Sequence, residues 1–514
     1  MHDQQEGATA TYQATLADVK REANRPLGSV PERDYVKIAD QFRRLQKPMW
    51  GYNILEPLQE RYQNDVYFNF VLALICRDRQ DMECANSAIS TAASIEPNQP
   101  DIAFARAQFA FEAWQPSVSH FRAAERLAPD NLAIKKNLAL ALIAEGESEK
   151  ALKQLETTLE AHPDWLDGHQ QLASIKLTMG YPNVFSSLQQ VCAIQADKLN
   201  LRMAWFYLLA QAKDWESARQ ALYEVPAQFK SEAPVEMADI YLRAETGGIL
   251  TNDELTGQYA QKTDPGFDLC LTRYHLRSGE PEEAEKIASR HLGGPSERLF
   301  WPYLSICWRM SGDPRFLWLE HNAEYASIVD LPVSNQQLSG LADVLRSLHK
   351  HQKPYLEQSV NGGTQTDRNL FFNPDERIQW IRRLILQAVS DYADQLPLPE
   401  EAHPLLGQTP DEPRFAGAWS VVLGPRGYHS THTHVQGWLS SAFYVALPDD
   451  MGASPAGYLS FGNTPPELGL NLKPIKEVQP KAGRLVLFPS YYWHSTIPFA
   501  EGERQTIAFD IACS

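Results

Sequence analysis

Between positions 60 and 200, apolar residues recur at the spacing of amphipathic helices, and the pattern itself repeats. Pro97, Pro129 and Pro163 each follow one helical stretch, at spacings of 32 and 34 residues. Twenty-four residues before each proline stands an alanine: Ala73, Ala105, Ala139. Twelve before stand Ala85, Ser117 and Ala151, and eight before stand Ile89, Phe121 and Leu155. Small residues at fixed offsets let paired helices approach closely, and the larger apolar residues fill the grooves between pairs. Ala173 continues the register 34 residues after Ala139. Beyond it the pattern fades, although DWESARQALYEVP (214–226) and SGEPEEAEKIASRHL (278–292) still read as second helices of such pairs. The period predicts stacked helix pairs over 31–320, clearest over 60–200, preceded by a flexible polar tail at 1–30.

The texture changes near residue 320. Residues 321–412 are expected to supply connecting and supporting helices, one over 338–351 and one over 375–397 with Ile378, Ile381, Leu384, Ile385 and Val389 on its apolar face. SIVDLPVSN (327–335) is strand-like, and the glycine-rich QSVNGGTQT (358–366) reads as a turn or as a loop over the site. From 413 to 514 the signal becomes β. Segments 418–423, 439–447, 457–461, 484–490 and 504–512 are rich in β-branched and aromatic residues and are separated by Gly, Pro and Asp. Short strands so spaced predict a sandwich or barrel. The fold class expected is therefore multidomain α + β, a helical solenoid followed by a β domain.

Composition narrows the function. A chain of 514 residues exceeds one core, and its net charge of −17 weighs against binding a phosphate backbone, so no nucleic-acid partner is expected. The first residues show no charged n-region leading into an apolar stretch, and no run approaches about 18 apolar residues, so neither a signal peptide nor a membrane span is expected. The 6 cysteines (Cys76, Cys84, Cys192, Cys270, Cys307, Cys513) are scattered and form no CxxC pair. Isolated thiols fit a reducing compartment, which makes the cytoplasm the expected location.

The candidate chemistry lies in the β region. GYHSTHTHVQGW holds His429, His432 and His434, and FPSYYWHSTIPF holds His494. His432 and His434 are two apart, so on a strand both imidazoles leave one face and can share a metal. His494 follows 62 residues after His432, just past an apolar strand, where a barrel mouth would open. Their ring nitrogens are expected within about 4 Å of one another, close enough for one ion at roughly 2.0–2.2 Å. Ten residues on, Arg504 opens a strand with Thr506 on the same face. An inward arginine is costly unless it meets an anion, and a guanidinium suits a carboxylate. Trp438, Phe443 and Tyr444 are read either as cavity wall or as plain barrel core. His403 is read as a surface histidine.

Two resemblances follow from these residues. The helical register resembles the tetratricopeptide repeat. The order HxH, strand, G-x-L-x-F, strand, H, R-x-T resembles the double-stranded β-helix oxygenases dependent on iron(II) and 2-oxoglutarate. Residues from about 320 to 514 resemble most closely the tetratricopeptide-containing 2-oxoglutarate/Fe(II)-dependent oxygenase family, through EQSVNGGTQT, HTHVQGWLSSAFYVALP and RLVLFPSYYWHSTIPFAEGERQTIAFD, with WPYLSICWRMSGDPRFLWLE just upstream. The resemblance implies a double-stranded β-helix (jelly-roll, cupin-like) domain that binds Fe(II), 2-oxoglutarate and O2. It implies His432, His434 and His494 as metal ligands, with Arg504 gripping the C5 carboxylate of the co-substrate beside Thr506. His434 stands where the broader superfamily has Asp or Glu. It is either a third ligand or a residue behind a ligating water. The implied reaction converts 2-oxoglutarate to succinate and carbon dioxide and hydroxylates a protein, peptide or small molecule. A helical groove of this kind suits a protein or peptide partner. Two other readings remain: a three-histidine cupin dioxygenase that does not use 2-oxoglutarate, and a repeat scaffold with an inactive barrel.

Overall fold

The computed structural model describes residues 15–21, 32–350, 358–410 and 412–513. It divides into two compact units, one of residues up to 158 together with 368–379, the other of residues 159–367 with 380–513.

In the first unit, residues 15–21 are helical rather than a loose tail, because Leu16 and Val19 bury against Ile38 and Phe42. The rest of the segment expected to be flexible lies outside the described residues. Helix pairs follow: Val66–Asp78 with Met82–Ile95, Pro100–Glu112 with Val118–Leu127, and Leu132–Ala144 with Ser148–Ala161. Asp65, Asp81 and Asn131 cap three of these helices by accepting from backbone N–H groups of the first turn. The register residues are the core: Ala73, Ala85, Ile89, Phe121, Ala139, Ala151 and Leu155 are all buried. Cys76 and Cys84 depart from the expectation of isolated thiols. The tight turn between the first pair brings their Cα atoms to 5.7 Å and the structure joins them in a disulfide.

The second unit continues the helix pairs where the sequence pattern fades. First helices begin at residues 166, 199, 233 and 265, keeping the interval set by those at 66, 100 and 132. The turn inside each pair opens on a residue of positive φ: Gln80, Trp114, Gly146, Gly180, Lys213, Gly247 and Gly279, with Asn183 a second one after Gly180. The backbone period thus outlasts the side-chain period. No helix among the described residues is long and apolar enough to cross a membrane.

Beyond the helices Glu297–Ser311 and Arg315–Glu320 come nine strands among the described residues: β1 (Ser327–Asp330), β2 (Val360–Gln365), β3 (Phe415–His429), β4 (Gly437–Ala446), β5 (Leu459–Phe461), β6 (Lys476–Val478), β7 (Arg484–Pro489), β8 (His494–Thr496) and β9 (Arg504–Ala512). They form a six-stranded sheet in the order β1-β7-β4-β9-β3-β2 and a three-stranded sheet in the order β6-β5-β8, every pair antiparallel. This is the jelly-roll arrangement expected for the C-terminal region, except that β1 and β2 come from 321–412. The glycine-rich segment is therefore a sheet strand and not a lid. Gly362 takes φ +67° at a bulge, and a Cβ on Gly363 would lie 2.3 Å from the Val422 carbonyl oxygen of β3. Alternation along β9 turns Arg504, Thr506, Ala508 and Asp510 to one face. On the other face Gln505 donates to Ala342 O of helix Asn335–Leu348.

Three consecutive aromatic residues tie the sheets to the helices. Tyr491 OH donates to Leu319 O at 2.8 Å, Tyr492 OH to Glu320 O at 2.5 Å, and Trp493 Nε1 to Pro302 O at 2.9 Å. Arg309 donates to the carbonyls of Gly462 and Lys473. Each of these side chains buries its apolar body while its polar atom finds a backbone acceptor.

Candidate functional site

A cavity of about 470 Å³ lies inside the jelly roll. Its lining includes His432, His434, His494, Arg504, Thr506 and Asp510. His432 and His434 lie in the extended connection between β3 and β4, not on a regular strand as expected. Backbone pairing fixes that connection: His432 N donates to His494 O at 3.0 Å, His494 N to His432 O at 3.1 Å, and His434 N to Ser490 O at 2.9 Å. Two histidines distant in sequence are thereby cross-strand partners. The ligand nitrogens of His432, His434 and His494 lie within 4.8 Å of one another. That is wider than the 4 Å expected, and around one ion at about 2.1 Å neighbouring donors stand roughly 3 Å apart, so the rings must swing inward to share it.

The second nitrogen of each ring is already committed. His432 Nδ1 meets Ser430 O at 2.7 Å, His494 Nδ1 meets Tyr492 O at 2.9 Å, and His434 Nδ1 meets Asp510 Oδ2 at 2.8 Å. Carbonyl and carboxylate oxygens only accept, so each Nδ1 carries the hydrogen, and Nε2 is the nitrogen each neutral ring has to offer. Burial, with the charge of His434, holds the His432 pKa down at about 3, and burial holds His494 well below its ordinary value. Both rings are neutral donors at neutral pH. Burial also pulls on His434, but the charge and hydrogen bond of Asp510 prevail and raise its pKa. His429 stays outside the triangle. Its Nδ1 lies 3.0 Å from Ser359 Oγ, which also lies 3.2 Å from His432 Nε2.

Arg504 is 3% exposed. Its Nη1 donates to Gly457 O at 2.8 Å, and its guanidinium lies 4.9 Å from the centre of the Tyr444 ring. Arg504 Nε is buried without a hydrogen-bond partner, the Tyr444 hydroxyl lies by the guanidinium and favours its charge, and no acidic side chain among the described residues forms an ion pair with Arg504. Burial lowers the Arg504 pKa. A buried cation facing a cavity with donors to spare is the counterpart of an anion.

Of the two readings of Trp438, Phe443 and Tyr444, barrel core is the one the structure bears out. Trp438, Phe443 and Tyr444 are core residues, with Trp438 Nε1 donating to Leu405 O and Tyr444 lying against Arg504. Trp419 and Phe488 line the cavity instead. Trp419 lies parallel to His434 at 5.9 Å, and Phe488 meets His494 edge-on at 4.7 Å. His403 is buried, not on the surface: its Nε2 pairs with Trp318 O, and its Nδ1 accepts from Leu405 N and Leu406 N.

Sequence reasoning passed over Asp510, Trp419 and Lys213, while Ser359 lies in the glycine-rich stretch read as a turn or a loop over the site. Asp510 shares the face of Arg504 and Thr506 by simple alternation, so strand parity pointed to it. Lys213, in the positive-φ turn after helix Leu199–Gln211, reaches the cavity rim and pairs with Glu467. No motif announces it.

Residues 417–510 match the family model described as "Putative 2OG-Fe(II) oxygenase", and residues 111–179 match a tetratricopeptide-repeat model. The chain thus joins tetratricopeptide repeats to a domain of this oxygenase family. No curated protein sequence matches it. Among solved structures it is similar to a prolyl-4-hydroxylase of Pseudomonas putida, at 16% identity over 38% of this chain and 95% of that one, with a TM-score of 0.26. HygX of Streptomyces hygroscopicus, with nickel and 2-oxoglutarate bound, aligns at 10% identity over 38% of this chain and 85% of its own, with a TM-score of 0.27. A thermophilic TPR protein of Thermus thermophilus aligns at 17% identity over 34% of this chain and 97% of its own, with a TM-score of 0.26.

Proposed function

We propose that this protein is an Fe(II)/2-oxoglutarate-dependent dioxygenase that hydroxylates a protein, peptide or small-molecule substrate. One observation carries the reading: three imidazoles bring their ligand nitrogens together at a cavity that also holds a buried guanidinium without a counter-ion among the described residues. The donor set fits a divalent ion of borderline softness such as iron(II). The unpaired Arg504 fits a dicarboxylate whose far end it grips, with the Thr506 hydroxyl beside it.

Bound iron and 2-oxoglutarate would supply oxidative decarboxylation of the co-substrate by O2, coupled to oxygen insertion into a substrate C–H bond. The chain supplies the rest. His432, His434 and His494 hold the ion, their tautomers fixed by Ser430 O, Asp510 and Tyr492 O. Arg504 sets the length and direction of the co-substrate. Trp419, Phe488 and Leu459 line the cavity and exclude water around the reacting centre. Lys213, from a helical turn, reaches the cavity rim.

The test is succinate formation from 2-oxoglutarate by anaerobically purified, iron-loaded protein given O2. Succinate that requires both iron and 2-oxoglutarate supports the proposal. Stoichiometric iron without 2-oxoglutarate turnover favours a three-histidine dioxygenase, a reading suggested by the carboxylate missing from the HxH pair. Failure to bind iron favours a repeat scaffold.

A further inference from the structure

A site of two histidines and one carboxylate carries one negative charge that three neutral imidazoles lack. We infer that Asp510 supplies that charge from behind His434, as its positioning residue, so that the three histidines are unequal donors. The inference rests on reading those histidines as metal ligands.

The geometry is specific to one ring. His432 and His494 lean on neutral carbonyls, whereas His434 Nδ1 meets a carboxylate. Asp510 is 7% exposed, and both of its oxygens are engaged. Oδ2 accepts from His434 at 2.8 Å, and Oδ1 accepts from the Ser440 hydroxyl at 2.7 Å. Ser440 stands directly opposite Asp510 in the β4–β9 register, so the sheet itself fixes the carboxylate. Ser440 Oγ lies 2.9 Å from Ser490 Oγ, and the Ser490 carbonyl holds the His434 backbone. Ring, backbone and carboxylate are thus locked in one network. Among the described residues the ion-pair partner of Asp510 is His434, with no Lys or Arg in reach. The carboxylate therefore spends its charge on the imidazole. A hydrogen bond from Nδ1–H to a carboxylate fixes the ring and makes Nε2 a stronger donor.

The experiment titrates Co(II) anaerobically into the full-length protein and its variants at one pH, reading affinity by calorimetry and the ligand field by the visible Co(II) bands. Asp510→Asn keeps the shape and removes the charge. It is expected to weaken Co(II) binding about 10- to 100-fold and to shift the bands. His434→Asp brings a carboxylate to the metal directly. In that background the same Asp510→Asn change is expected to cost clearly less, because residue 434 no longer offers an imidazole through which Asp510 acts. A loss of equal size in both backgrounds, or none in either, overturns the inference while the ligand reading stands. A wild-type protein that binds no Co(II) overturns the ligand reading itself. Should Asp510→Asn fail to fold, Ser440→Ala carries the test: it removes one donor to Asp510, and a smaller loss of the same sign is expected only when residue 434 is histidine. Unchanged affinity in Ser440→Ala then overturns the inference.

Discussion

Glu320 gives the most quantitative prediction. It ends helix Arg315–Glu320 at 2% exposure, with its carboxyl accepting from Ser305 Oγ. Burial raises its pKa from 4.5 to about 7, against smaller opposing pulls from Ser305 and Arg309. The folded state thus binds the proton more tightly than the unfolded chain. Its stabilising contribution is full below about pH 4.5 and is lost as pH rises through about 7. The difference between the two values corresponds to about 3 kcal/mol. Glu320→Gln keeps an oxygen acceptor for Ser305 and cannot ionise. The variant should gain on the wild type steadily as pH rises, reaching a relative advantage of about 3 kcal/mol by pH 8. Urea unfolding followed by tryptophan fluorescence at steps from pH 4.5 to 8 measures it. Parallel stability curves for the two proteins would refute the account of Glu320 as a neutral, buried acid.

Two further outcomes are expected. Arg504→Gln should weaken 2-oxoglutarate binding by roughly 10- to 200-fold, the worth of a hydrogen bond to a charged group, with metal affinity nearly unchanged; anaerobic titration of Mn(II)-loaded protein checks it, and an unchanged affinity would remove Arg504 from the co-substrate site. Trp493→Phe leaves the Pro302 carbonyl without its donor and should cost about 1–3 kcal/mol in urea unfolding, whereas unchanged stability would mean that water satisfies that oxygen.

The helix pairs were legible where small residues must recur for helices to touch, as at Ala73, Ala105 and Ala139. They faded where packing took over. Helix Leu199–Gln211 is apolar nearly all round, with Leu201, Trp205, Phe206 and Leu209 buried, so it carries little face signal. The jelly roll was legible from alternation, but β2 was hidden because its glycines are there for close backbone approach to β3 and carry no apolar pattern. At the site, histidine order and Arg504 stood out because such residues are rare inside a barrel. Their partners did not stand out. Asp510 and Ser440 matter through sheet register, which fixes neighbours 70 residues apart. Lys213 matters through the docking of a helical turn. Strand parity gives the face of Asp510, but its pairing with Ser440 and the docking of Lys213 have no local sequence signature.

Tyr491, Tyr492 and Trp493 run directly into His494, and each hands its polar hydrogen to a helical carbonyl. The approach to His494 is therefore held by the helices as well as by the sheets. A graft that borrowed only residues 413–514 would strip acceptors from three buried donors and discard two strands of the larger sheet. The smallest portable version of this pocket starts no later than Glu297, where the helix bearing Pro302 begins.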